Sequence, residues 1–188
     1  FPGAVSSLAI EAMMQDGKAL QAGTSHYLGT NFSRAMGIEF TDSEGKDEFA
    51  HTTSWGTSTR LMGAVVMTHG DDNGLRMPPR VAPQQVVIVP IARDDPEQVL
   101  GSARELAAEL EGLFAFGQPL RVRVDERDRK PAEKRWEWIR KGAPLVMELG
   151  GRDIEGGVVT VTRRDDPDLG REQIERSEVA AFAETLET

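Results

Sequence analysis

Hydrophobic and polar positions switch between two periods in the second half of the chain. Gln85–Ile91 (QVVIVPI) is a short continuous run of mostly β-branched residues, the pattern of a strand buried on both faces. Asp94 and Asp95 precede Pro96, an N-cap signal followed by a proline at the first helical position. Val99, Ala103, Leu106, Leu110 and Leu113 then recur at helical spacing. LRVRV (120–124) alternates as a strand. Pro131 opens a second helix that Gly142 closes, PLVMELG and GVVTVTRR read as two more strands, and Glu172–Leu186 reads as a final helix. The resulting order, β-α-β-α-β-β-α, predicts an α/β domain with a mainly parallel sheet.

Residues 1–82 have a different texture, rich in Gly, Ser, Thr and Met with few charges. Leu20–His26, Glu39–Thr41 and Glu48–Trp55 read as strands, with SEGK (43–46) as a polar turn. Asn31–Met36 reads as a short helix ended by Gly37. LMGAVVMTH (61–69) is an apolar run with small residues, expected to be a buried helix stopped by GDDNG. Met77–Pro83 places three prolines in seven residues, which removes amide donors and favours extended backbone. It is the expected linker between a first domain, 1–82, and a second, 83–188. No internal repeat or low-complexity segment interrupts either.

Composition narrows the picture. A chain of 188 residues, 39% hydrophobic and 28% charged, suits one large or two small globular domains. No apolar run reaches the roughly 18–20 residues that cross a membrane. FPGAVSSLAIEAMM lacks the basic start of a signal peptide and begins in mid-pattern without Met, which reads as a cut. The absence of Cys excludes disulfides and Cys-ligated zinc, and a cytoplasmic location is the expectation. The net charge of −9 argues against a general nucleic-acid coat protein. Residues 121–141 nevertheless carry nine Arg and Lys against five acids, a local charge of +4. That segment fits either a solvated helix face of mixed charge or an RNA-facing patch.

Candidate chemistry gathers in two blocks, LQAGTSHYLGTNFS and TSWGTSTRLMGAVVMTHGDDNG. Gly, Ser, Thr, one His and one Arg suit a site that grips a small polar ligand with amides, hydroxyls and a fixed cation. An arginine fork binds phosphate oxygens bidentately, so Arg60 is the first candidate. Alternation puts Thr24 and His26 on one strand face; a lone His in that position is otherwise a structural residue. His51 and His69 show no ligand spacing, so no metal site is expected. Asp71, Asp72 and Asn73 lack EF-hand spacing and read as a helix-ending turn. Dinucleotide and P-loop glycine motifs are absent.

These blocks resemble the end of the catalytic core of prolyl-tRNA synthetases of the archaeal and eukaryotic type, class II aminoacyl-tRNA synthetases that many bacteria also have. TSWGTSTRLMGAVVMTHGDDNG resembles motif 3, with Thr57, Ser58 and Thr59 where other class II enzymes carry glycines and an acid, a departure the prolyl branch shares. The resemblance implies a partial class II antiparallel sheet with helices, followed by an α/β anticodon-binding domain, and runs to about residue 165. It implies that Arg60 is catalytic on the ATP phosphates, with Gln21, Thr24 and Ser58 also at ATP, and that Phe1, His26, Ser54, Trp55 and Gly56 line a proline pocket. Magnesium with ATP, proline and tRNA(Pro) as partners, and a homodimeric parent enzyme without membrane attachment, follow in the same way.

RDRKPAEKRWEWIRKGAPLVMELGGRD resembles the anticodon-binding segment, which implies tRNA contacts from Lys134, Trp138, Lys141 and Arg152. The chain departs at Arg135, where an aromatic is usual, and at Ile139, where an acid is usual. Trp136 and Trp138 could stack on unpaired bases. Being two apart on a helix they face different ways, so one of them is expected in the core. Motifs 1 and 2 and a further C-terminal domain are not found, so the expectation is a proline–tRNA ligase fragment inactive alone. An RNA-binding module and a non-catalytic synthetase paralogue are the other readings.

Overall fold

The computed structural model describes residues 1–93 and 95–187, and the chain divides into two compact units, Phe1–Thr68 and His69–Thr188. Asp94, half of the expected N-cap pair, lies outside the described residues.

In the first unit, β1 (Ser6–Met13), β2 (Ala19–Gly29) and, after α1 (Asn31–Met36), β3 (Glu39–Thr41) and β4 (Asp47–Phe49), the strand β5 (Thr52–Gly56) leads to α2 (Arg60–His69). β1, β2 and β5 form an antiparallel sheet in the order β1-β2-β5. Gly37 ends α1 in the left-handed region, as a C-cap glycine does, and β3 and β4 form a hairpin across the SEGK turn. There Asp42 Oδ1 accepts the amides of Glu44 and Lys46, an Asx-type turn. The expected strand 48–55 is two strands, and β1, left without an element in the sequence reading, pairs along the whole of β2.

The expectation of a buried helix at 61–69 is corrected: α2 forms, but none of its residues is buried. Apolar composition made it look internal; burial requires a covering surface, and Met62 and Val66 stay exposed among the described residues. In residues 1–68 the buried hydrophobic side chains are Met14 and Leu28.

The second unit begins with a small hairpin, β6 (Gly70–Asp71) and β7 (Gly74–Leu75), which matches the expected turn at Asp71–Asn73. β8 (Val86–Ile91) and α3 (Pro96–Glu111) follow, then the hairpin of β9 (Phe114–Ala115) and β10 (Gln118–Pro119). β11 (Val122–Val124), α4 (Pro131–Arg140), β12 (Leu145–Gly150), α5 (Gly151–Gly156), β13 (Val158–Arg163), β14 (Arg171–Glu175) and α6 (Val179–Glu184) complete it. Asp95 caps α3, its carboxylate accepting the Gln98 amide.

The sheet order is β11-β8-β12-β13-β14. β11, β8 and β12 are parallel, whereas β13 and β14 join antiparallel, so the sheet is mixed rather than mainly parallel. The expected helix Glu172–Leu186 is also corrected. REQIE pairs with β13, burying Ile174 opposite Val159, and the helical turns begin only at Arg176. Its Glu- and Arg-rich composition favours helix, but pairing to β13 and burial of Ile174 override that weak preference.

Alternation on the central strands explains the two cores. Val86 and Ile88 face α3, packing with Ala103, Leu106 and Leu110. Val87 and Val89 face the other way, packing with Trp138, Ile139 and Val146. The proline-rich segment Met77–Pro83 belongs to this unit. Arg121 donates to the carbonyls of Pro79, Arg80 and Ala82, and Gln85 Nε2 donates to Pro79. No helix among the described residues is long and apolar enough to cross a membrane.

Candidate functional site

The first unit holds a cleft of about 240 Å³ lined by Gln21, Ala22, Gly23 and Thr24 of β2 and by Gly56, Thr57, Ser58 and Arg60. Strand pairing builds it. Thr24 lies opposite Gly56, β5 stops there, and after three intervening residues α2 starts with Arg60. Ser58 accepts the Arg60 amide at 3.3 Å through its hydroxyl, closing the turn. Arg60 Nη1 reaches Gln21 Oε1 at 3.3 Å, and among the described residues no carboxylate forms an ion pair with it. Gln21, Thr24, Ser58 and Arg60 are therefore gathered in one place, with a cation at a helix start that carries no acid in its first turn. Such an end favours negative charge.

His26 and Ser54 are cross-strand partners on the same face as Thr24 and Gly56. Phe1 stacks on His26 at 4.4 Å, and Ser7 of β1 bonds His26 Nδ1 at 2.8 Å. Ser7 escaped the sequence reading; the alternation of SSLAIEAM on the neighbouring strand was the available signal. Trp55, also expected in the proline pocket, is placed apart from His26 by the register. The register pairs it with Ser25, which puts it on the opposite face of the sheet from His26, 77% exposed, the face that also carries Leu8 and Ile10.

In the second unit, α4 is anchored by its own candidates. Lys134 donates to the Asp125 carbonyl at 2.9 Å and Trp138 Nε1 to Asp125 Oδ2 at 2.7 Å, both side chains buried. Burial alone would raise the Asp125 carboxyl above its ordinary range, but hydrogen bonds from Arg127 and Trp138 hold it well below. Glu137 is lowered to about 2 by hydrogen bonds from Arg127 and Lys141. Much of the basic segment is thus neutralised internally: Arg127 and Arg129 also pair with Glu137. Arg123, Arg127 and Lys141 stand over the Trp138 ring.

One tryptophan is core and one is surface, as helical spacing required: Trp138 is buried, Trp136 is 44% exposed. Trp136 lines an open hollow of about 570 Å³ with Arg129, Ala132, Glu133, Glu137 and Arg140. Arg135 lies 5.3 Å from its ring and pairs with the buried Glu148. Arg152, at the start of α5, is exposed. Among the described residues no cluster of three His, Asp or Glu side chains could hold a metal ion.

The comparisons give this arrangement a class. Residues 85–186 match the family of the anticodon binding domain, so the second unit is of that class. Over 168 residues, 88% of this chain, it is 60% identical to the proline–tRNA ligase of Erythrobacter litoralis, of which it covers 33%. Identity is 59% to that of Novosphingobium aromaticivorans, over 88% of this chain and 32% of the relative. It is 49% to that of Protochlamydia amoebophila, over 99% of this chain and 37% of the relative. The chain spans about a third of the length of these relatives, and it belongs to the prolyl-tRNA synthetase family.

Proposed function

We propose that the chain works within a proline–tRNA ligase, supplying part of the proline-activation site from residues 1–82 and anticodon recognition from residues 83–188. The activating reaction joins the proline carboxylate to the α-phosphate of ATP, releasing pyrophosphate; the prolyl group then passes to the tRNA 3′ end. Arg60 holds phosphate oxygens and offsets the charge that develops as pyrophosphate leaves. Gln21 and Thr24 face the nucleoside, and Ser58 shapes the turn that aims Arg60. His26, held by Ser7 and Phe1, lines the proline pocket with Ser54 and Gly56 by shape and hydrogen bonding, not as a general base. The observation that carries this reading is the gathering of Gln21, Thr24, Ser58 and Arg60 in one cleft, with no carboxylate ion-paired to Arg60 among the described residues.

Magnesium accompanies ATP in such enzymes, and no step here depends on it. The remaining phosphate-binding arginine and the acids that take the proline amine are expected from motif 2 and upstream strands, outside these 188 residues. Among the candidates, Lys141, Arg152 and Trp136 are open to RNA, while Lys134 and Trp138 hold the helix in place.

The test is proline-dependent ATP–pyrophosphate exchange by the full-length synthetase. Arg60→Ala should slow it by about 10²–10³-fold, equivalent to about 2–4 kcal/mol of transition-state stabilisation. The 188-residue chain alone should show none. Unchanged exchange in the variant, or robust exchange by the chain alone, would overturn the assignment.

A further inference from the structure

The hairpin β6–β7 continues directly from α2 and meets the C-terminal end of α4 backbone to backbone. Gly74 has φ +120°, and a Cβ there would lie 2.6 Å from the Cα of Arg140. Gly142 has φ +79°, and a Cβ there would lie 2.8 Å from the Leu75 oxygen. Only glycine fits either position, both for its backbone angles and for the approach. Nothing in an ordinary surface turn demands such contact.

One side chain locks this junction. Arg164, at the end of β13 and 2% exposed, donates two parallel hydrogen bonds to the Asp71 carboxylate, one of them at 2.8 Å. The same guanidinium donates through Nε to the Ile139 carbonyl at 3.1 Å and through Nη2 to the Gly74 carbonyl at 3.2 Å. Ile139 lies in the last turn of α4, where carbonyls lack full intrahelical pairing and a cation offsets the helix dipole. The planar fork of an arginine suits this combination, and a lysine could not reproduce it. Asp71 is further fixed by the Asn73 amide at 2.8 Å. Its carboxyl is held below the usual range, first by the hydrogen bond from Arg164.

We propose that Asp71 and Arg164 are positioning residues for tRNA charging, a clamp through which the last turn of α4 cannot shift without moving the segment onto which the Arg60 helix continues. Neither residue touches substrate. The clamp rests on the synthetase reading above. It predicts a division that a merely stabilising ion pair does not: proline activation, which needs no tRNA, is spared, while transfer to tRNA is impaired.

The experiment compares Asp71→Asn, which keeps shape but removes charge, with Asp71→Glu, which keeps the carboxylate, in the full-length synthetase. For Asp71→Asn, proline-dependent exchange should stay within about twofold of wild type. Charging of an unmodified proline-accepting tRNA transcript should lose at least about tenfold in kcat, with KM changed less than about threefold. Asp71→Glu should recover most of that loss. In the 188-residue chain, Asp71→Asn should speed amide hydrogen exchange at residues 139–143 at least about tenfold and leave β8 unchanged. Normal charging by Asp71→Asn, or unaltered exchange at 139–143, would overturn the clamp. So would a parallel fall of activation and charging with a lowered Tm, the mark of a purely structural pair. A wild-type enzyme that fails to activate proline overturns the functional reading itself and the charging role with it, a result distinct from all of these.

Discussion

Residues 69–188 and residues 1–68 use the same local rules and reach opposite results in packing. In the second unit the central strand β8 buries Val86, Val87, Ile88 and Val89 completely, between α3 on one side and α4 on the other. In the first unit an eight-residue strand, an eleven-residue strand and a ten-residue helix form, yet Leu8, Ile10, Met13, Trp55, Met62 and Val66 are exposed. Backbone hydrogen bonding can therefore draw the sheet without a core beneath it. Hydrophobic burial, the dominant favourable contribution in folding, is nearly all in one unit. Large exposed apolar side chains in such number are what a face made to be covered would show. Under the proposed function, the cover is the remainder of a synthetase, of whose relatives this chain spans about a third.

The largest consequence is independent folding. Residues 69–188 alone should give a cooperative thermal transition and a dispersed amide spectrum, and residues 1–68 alone should give neither. Starting the piece at 83 instead of 69 should lower its stability, because it removes Asp71 from the buried Arg164 and carbonyls from Arg121. Cooperative folding of residues 1–68 would erase the contrast between the units.

A pair of single substitutions sharpens it. Leu106→Ala, at a fully buried position under the sheet, should destabilise the chain by about 2–5 kcal/mol through lost burial and a cavity. Leu8→Ala removes the same atoms from a position 73% exposed and should stay within about 0.5 kcal/mol. Urea unfolding of the 188-residue chain, followed by far-ultraviolet circular dichroism, measures both. Equal costs would mean that the face bearing Leu8 is covered in solution.

The same contrast explains what could be read without coordinates. QVVIVPI, PLVMELG and GVVTVTRR declared themselves because β-branched runs have few other uses, and Asp95–Pro96 and Pro131 marked helix starts by known cap chemistry. REQIE did not, because a strand with one buried residue in five carries no period. Apolar sequence at 61–69 signalled helix correctly but not its surroundings. Trp55 depended on register: a one-residue step turns a side chain to the other face, and the irregularity at Tyr27–Gly29 lies in the same pairing. For Lys134 and Trp138, nothing in the sequence signalled their bonds to Asp125, nine and thirteen residues away. The gathering of Gln21, Thr24, Ser58 and Arg60 was legible only through family resemblance, since no local pattern relates residues 39 apart.

The smallest effect is a pH dependence confined to the second unit. Asp125 and Glu137 have carboxyls lowered in the fold, Glu137 to about 2, and Asp71, Glu109, Glu126 and Asp165 of the same unit are lowered as well. A carboxyl lowered by folding contributes stability that is fully present above its unfolded value, about 4 for these side chains, and lost as pH falls through the folded value. The chain should therefore hold a constant urea midpoint from pH 7 to about pH 5, and lose stability progressively from there toward pH 2. Glu137→Gln removes one of these groups and should flatten the slope while lowering the plateau slightly, since Arg127, Arg129 and Lys141 lose their shared partner. Trp138→Phe removes the indole donor to Asp125 and should move the acid transition upward in pH, because the remaining bonds hold the carboxylate less strongly. The first unit offers one comparable carboxyl, Glu48, paired with Lys46 at the surface, where solvent and salt screen the pair. Glu48→Gln should accordingly leave the acid transition where it is. A shift as large as that of Glu137→Gln would place the acid-sensitive element in the wrong unit.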